Sequence, residues 1–167
     1  MHLFGTLLLF AAISGFGLIC AGDLKRRPRE LRSLIDALEL LHHDIGACSL
    51  PTPDALAHVG GMSTGGTRSF FLSVSDRLGK TSCSFSKLWE TESNKLSLLK
   101  QDDRIAVIRL GNHLAQYDAA SQCNAIKACI AYLSQSEQQA RRYSQEYSRL
   151  CTGLGMTLGA MLAVILY

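Results

Sequence analysis

The chain has 167 residues, 47% of them hydrophobic, and a formal net charge of +3 from 17 Lys/Arg and 14 Asp/Glu. That length allows one domain, or one domain with appendages, and excludes a large multidomain enzyme. Every charged side chain lies between Asp23 and Arg149, so residues 1–22 and 150–167 are bare, a partition that an evenly soluble globular domain would rarely show.

The first bare stretch, LFGTLLLFAAISGFGLICAG at 3–22, is about 30 Å long as a helix, the thickness of a bilayer's hydrocarbon core. It is expected to be a transmembrane helix (residues 1–22). A cleaved signal peptide carries its cations before the apolar run; here only Met1 and His2 precede it and the cations follow. The predicted anchor is therefore uncleaved, with its N-terminus outside.

Directly after it comes DLKRRPREL. Lys25, Arg26, Arg27, Arg29 and Arg32 hug the first span, and Arg141, Arg142 and Arg149 precede the second bare stretch. The positive-inside bias then places the whole of 23–149 in the cytoplasm. Near an anionic surface such cations contribute about 1 kcal/mol each. A nucleic-acid patch is the weaker alternative for so short a run beside a span.

Past Pro28, RELRSLIDALELLHHDIG places Leu31, Leu34, Ile35, Leu38, Leu41 and Ile45 on one helical face. Thr52-Pro53 opens a second helix, with Thr52 as N-cap, which stops at Gly60-Gly61. GGMSTGGT at 60–67 is expected to be a flexible connection; a phosphate-binding loop needs Lys-Ser/Thr after its glycines, and Thr67-Arg68 follows instead. Gly79-Lys80-Thr81 has that pair without the leading glycine. Phe70, Phe71, Val74 and Leu78 form a third apolar face. Phe85, Leu88, Trp89 and Leu96 form a fourth, with Trp89 as core anchor. Asp102 caps a further helix carrying Ile105, Ile108 and Leu110 and running to about Gln116.

Asp118 caps the last helix. Its stripe is Cys123, Ile126, Ile130, Leu133, Ala140, Tyr147 and Leu150, and nothing breaks it before Gly153. One long helix from about Ala119 into the final stretch is predicted, with 150–167 as a second transmembrane helix. The section Ser134–Arg149 is polar all round, a pattern of solvent-bridging or partner-covered helices; Gln135, Gln138, Arg142 and Glu146 are its candidate interface residues. No strand signal, repeat or low-complexity tract is present. The fold class is all-α: an antiparallel cytoplasmic bundle of about five to six helices, flanked by a span at each end.

The six cysteines are Cys20, Cys48, Cys83, Cys123, Cys129 and Cys151, with no C-x-x-C pair. Free thiols are expected in a reducing compartment. His42 and His43 point about 100° apart on a helix and do not easily share a metal. Neither paired His at i, i+4 nor close Cys pairs occur, so no metal and no cofactor is expected. Cys48 with His58 is the best nucleophile–base combination, without a supporting motif. Asp102-Asp103 is better explained by a helix start than by a catalytic dyad.

Gly155-x-x-x-Gly159-x-x-x-Ala163 lines one face of the final stretch with small residues; Ala11-x-x-x-Gly15 and Gly17-x-x-x-Ala21 do so in the first. In lipid such faces let helices approach closely. The spans are expected to pack on each other or on another membrane protein. With no charge inside either, they do not form a transport path alone.

The order of these landmarks resembles the stage III sporulation protein AB family. The N-terminal span is followed by Arg27-Pro28-Arg29, Leu31, Leu34 and Leu38. Then come Thr52-Pro53, Trp89, Leu110-Gly111-Asn112-His113-Leu114 and Asp118. Gln122, Leu133 and Glu137 precede a glycine-bearing end. The glycines of 60–66 and the many cysteines depart from the pattern. The resemblance implies a non-enzymatic subunit of the complex linking mother cell and forespore. It also implies a helical domain similar to the cytosolic domains of inner-membrane platform proteins in type II secretion and type IV pilus systems. The implied partners are sister channel subunits, among them a cytosolic ATPase and multi-span membrane proteins; the uncharged spans add the lipid bilayer, a second copy of the chain stays open as a partner, and nucleic acid is not expected. A true secretion or pilus platform protein is one alternative, disfavoured by a single domain copy and two spans. A membrane-tethered Cys/His hydrolase is the other.

Overall fold

A computed structural model describes residues 25–78, 80, 83–115 and 118–166, with side chains beyond Leu150 described only at Gly153, Thr157 and Met161. The expected first span, with Ala11, Gly15 and Cys20, lies outside the described residues. Among the described residues there are six α-helices and no strand: α1 Arg26–Gly46, α2 Thr52–Met62, α3 Gly65–Arg77, α4 Phe85–Ser93, α5 Gln101–Leu114 and α6 Ala119–Leu166. Among the same residues no helix is long and apolar enough to cross a membrane. The chain divides into two compact units, Arg29–Glu137 and a second formed by Met1–Pro28 with Gln138–Tyr167.

The core of the first unit follows from helical periodicity. Leu31, Leu34, Ile35, Leu38, Leu41 and Ile45 are all buried, as their three- and four-residue spacing requires. Helix α1 begins slightly earlier than its apolar face. Pro28 is its third residue, in the first turn, where the missing N–H has no helical partner to lose. Trp89 on α4 is fully buried among Phe70 and Phe71 of α3 and Phe85 of α4, with centroid separations of 4.8, 6.0 and 5.6 Å. The two α3 rings meet it edge-on, at 78° and 75°, geometries worth about 0.5–1.5 kcal/mol each beyond burial. Its indole Nε1 donates to the Val107 carbonyl of α5 at 2.7 Å, so the one polar atom of the side chain is satisfied.

Several local expectations are corrected. Thr52 is the first helical residue of α2 and Pro51 the N-cap, with no side-chain cap bond. Thr52 Oγ1 instead accepts from Gln122 Nε2 at 3.4 Å. Gly60-Gly61 does not end α2, which continues to Met62. A Cβ at Gly60 would come within 2.8 Å of Leu72 Cδ2, so this glycine permits close packing of α2 on α3. Gly65 and Gly66 belong to α3, and the connection between the two helices is only Ser63-Thr64. Leu96 is buried but lies beyond α4. Lys100, not Asp102, is the N-cap of α5; the buried Asp103 carboxylate accepts from the Lys100 backbone N–H at 3.3 Å. The buried apolar side chains of α5 are Val107, Leu110 and Leu114, whereas Ile105 is 40% exposed.

Helix α6 starts where expected: the Asp118 carboxylate accepts from the Ala120 and Ser121 amides at 3.3 and 3.0 Å. Its buried line is more polar than expected, running through Gln122, Ile126, Cys129, Leu133, Glu137, Ala140 and Ser144. Cys123 and Ile130 are half-buried, and Tyr147 and Leu150 are exposed. Gln122 Nε2 also donates to the Leu114 carbonyl at 3.0 Å, tying the start of α6 to the end of α5 and, through Thr52, to α2.

Candidate functional site

The end of α1 gathers His43, Asp44 and Cys48. After Gly46 the chain turns back on itself: the Ala47 and Cys48 amides both donate to the His43 carbonyl at 2.8 and 3.2 Å, and Leu50 N–H donates to the Asp44 carbonyl at 3.0 Å. Ser49 takes a left-handed φ of 52° to close this turn. Cys48 is thereby folded over the last helical turn, and its Sγ lies 3.7 Å from His43 Nδ1. Asp44 Oδ1 lies 3.8 Å from the same nitrogen. On the other side, His58 Nδ1 of α2 donates to Asp44 Oδ2 at 2.7 Å. The Asp44 side chain is 4% exposed, against 64% for His43 and 50% for His58.

The Cys48–His58 combination is therefore not formed. Cys48 meets His43, and His58 serves Asp44. Nor does the group form a nucleophile–base–acid relay. A relay places the nucleophile on one imidazole nitrogen and the carboxylate on the other, and here both approach Nδ1. His42 takes no part. The sequence signal for this cluster was the His-Asp pair ending an amphipathic helix with a cysteine four residues on. The return of the Cys48 amide onto the His43 carbonyl converts that spacing into proximity.

A second feature is an open groove of about 640 Å³ between α5 and α6, flanked by Ile105, Arg109 and Tyr132 and lined by Ala106, Ala125 and Ala128. Ile105 and Tyr132 are each 40% exposed. Cys129 lies in its floor, buried, with Sγ 3.9 Å from the Ala106 carbonyl. Burial pushes the Cys129 thiol up to about 12, so it stays protonated and unreactive.

The basic residues stand where a charged surface would put them. Lys25, Arg26, Arg29, Arg32, Arg141, Arg142 and Arg149 are exposed, and Arg27 is half-buried. Arg32 pairs with Asp36 one turn on, at 3.0 Å. On α6, Gln135, Gln138, Arg142 and Glu146 are exposed. Beside them Tyr143 and Tyr147, 53% and 44% exposed, stack with centroids 4.4 Å apart. The Tyr143 hydroxyl donates to the Tyr147 oxygen, and this bond raises it above its ordinary pKa. Gly155, Gly159 and Ala163 fall within α6, but their side-chain surroundings lie outside the described residues.

Residues 2–167 match the family described as stage III sporulation protein AB. Stage III sporulation protein AB of Bacillus subtilis strain 168 is 27% identical over 170 residues, covering 99% of both chains. A solved structure of stage III sporulation protein AB matches with a TM-score of 0.63 at 27% identity, over 72% of this chain and 97% of that one. The landmarks that carry the family pattern have structural work in this fold: Trp89 and Leu133 fill the core, Gly111 makes room for Trp89, and Gln122 joins three helices. The chain belongs to the stage III sporulation protein AB family.

Proposed function

We propose that the chain is a non-enzymatic, membrane-anchored adaptor of the sporulation channel between mother cell and forespore. Residues 1–22 and 150–167 anchor it in the mother-cell membrane facing the forespore, with both termini outside and the bundle of 23–149 in the cytoplasm. The observation that carries this reading is helix α6. It begins inside the bundle with buried Ile126 and Leu133, continues through an exposed polar face, and ends in a stretch without a charged side chain, just after Arg141, Arg142 and Arg149. A cationic collar followed by an uncharged segment supports an inserted end with its collar on the cytoplasmic side. The exposed face of Gln135, Gln138, Arg142 and Glu146 is the surface for a partner: the cytosolic ATPase of the complex or a sister subunit.

Family membership supports the assignment to sporulation. The experiment is a pair of accessibility and recovery measurements in sporulating cells. Tags at both ends should be labelled only from outside the mother-cell cytoplasm, and the detergent-extracted chain should bring down an ATPase and multi-span proteins. Replacing Lys25, Arg26, Arg27 and Arg29 by Glu should scramble the labelling. Tags accessible from the cytoplasm, or recovery of the chain alone under conditions that preserve such complexes, would contradict the proposal.

A further inference from the structure

We propose that His43, Asp44 and Cys48 bind a zinc-type divalent cation at the end of α1, with His58 holding the Asp44 carboxylate in place. Three donor atoms of different kinds, an imidazole nitrogen, a carboxylate oxygen and a thiol sulfur, lie within 4.8 Å of one another. Direct hydrogen bonding explains only part of their arrangement: the Cys48 Sγ contact to His43 Nδ1 is within reach of a sulfur hydrogen bond, but the approach of Asp44 Oδ1 to the same nitrogen is not a hydrogen bond. An N–H···O bond is made at about 2.7–3.2 Å, and Asp44 Oδ1 stands 3.8 Å from His43 Nδ1. That nitrogen offers one proton or one lone pair, yet Cys48 Sγ faces it as well, at 3.7 Å. A tetrahedral ion about 2.3 Å from sulfur and about 2.0–2.2 Å from nitrogen and oxygen holds such atoms roughly 3.4–3.6 Å apart. The two spacings to His43 Nδ1 are a few tenths of an ångström wider, and Cys48 Sγ and the Asp44 carboxylate, within 4.8 Å of each other, must close by up to about 1.2 Å. His43 and Cys48 are exposed and free to close that difference.

The surroundings favour a cation. Asp44 is buried, and a buried carboxylate is costly without a charged or hydrogen-bonding partner. His58 satisfies Oδ2 and leaves Oδ1 turned toward His43, the pattern in which a ligating carboxylate is fixed by an outer partner. The last carbonyls of α1 add the negative end of the helix dipole. The ligand set decides the class of ion. Calcium and magnesium take oxygen ligands, whereas a thiolate with an imidazole and one carboxylate suits zinc. Three protein ligands leave a fourth position for water. Bound there, the ion would clip the Cys48 turn to α1 and, through Asp44 and His58, fix α1 to α2.

Cobalt titration of the full-length chain, purified reduced and stripped with a chelator, tests this directly, because a thiolate–Co²⁺ bond has its own charge-transfer absorbance. The expected result is one Co²⁺ per chain with that absorbance, displaced by one equivalent of Zn²⁺. Cys48→Ser should abolish the band. His43→Ala should weaken binding at least tenfold, and His58→Ala by about 10–100-fold as an outer partner. Cys83→Ser, at an exposed cysteine outside the cluster, should change nothing. Asp44→Asn keeps the shape of the buried side chain and should also weaken binding; if it does not fold, the Cys48 and His43 variants decide, since both side chains are on the surface. Absence of the band, or a band that survives Cys48→Ser, would overturn the proposal.

Discussion

The indole ring of Trp89 occupies the space that a side chain at Gly111 would need: a Cβ there would come within 3.0 Å of Trp89 Cβ and closer still to the ring. Helices α4 and α5 therefore meet at a contact only glycine permits, and Trp89 is held there by its bond to the Val107 carbonyl. Gly111→Ala should cost about 1–3 kcal/mol by overpacking. Trp89→Ala should cost about 3–5 kcal/mol. In the double variant the new cavity accepts the added methyl, so the loss should be less than the sum. Denaturant unfolding of the three variants checks this; strict additivity would show that the two residues do not share the space.

Gln122 joins α6 to both α5 and α2 from a buried position. Gln122→Ala leaves the Leu114 carbonyl without that donor, and a buried group so stranded costs about 1–3 kcal/mol. Thermal unfolding should show the loss, and Gln122→Glu should not restore it, because a carboxylate cannot donate to a carbonyl. An unchanged midpoint in Gln122→Ala would mean that the bond contributes nothing net.

Glu92 is a buried carboxylate with two cations, Arg77 Nη1 at 2.9 Å and Lys95 Nζ at 2.7 Å. Both cationic side chains are more than half exposed, so each alone should be worth no more than about 1 kcal/mol. Removing both strands the buried charge. The Arg77→Ala/Lys95→Ala double variant should therefore lose more than the sum of the singles. A double-mutant cycle with no coupling would contradict this.

Burial raises the Cys129 thiol from 9.0 to about 12. Below pH 9 the thiol is protonated in both folded and unfolded chains, and its contribution to stability is complete. As pH rises from 9 towards 12 the unfolded state ionises first, and stability is lost. Cys129→Ala should flatten the alkaline fall of a stability–pH profile. In the native chain a thiol reagent should modify exposed Cys48 and Cys83 well before Cys129; equal rates would refute the burial.

Much of the architecture was legible because it rests on periodicity and caps. The α1 stripe, the Asp118 cap, the anchoring role of Trp89 and the start of the long last helix all follow from local spacing. The rest depends on contacts that spacing does not encode. Gly60 and Gly65 read as loop residues until Leu72 is seen packed on one and the short Ser63-Thr64 connection beside the other. The buried face of α6 was misread where polar Gln122, Glu137 and Ser144 take positions that a hydrophobic stripe would give to Cys123, Tyr147 and Leu150. At the end of α1, Cys48 joins His43 because the chain folds back with the Ala47 and Cys48 amides on the His43 carbonyl, a turn that residue spacing does not announce.

The adaptor role rests on the exposed face of α6, and site-specific photo-crosslinking tests it most directly. A photoreactive amino acid at Gln138 or Arg142, introduced into the chain in sporulating cells, should yield discrete adducts with an ATPase or a sister channel subunit. The same probe at Lys87, exposed on α4, should yield none. Adducts absent from Gln138 and Arg142, or equally abundant at Lys87, would contradict the account.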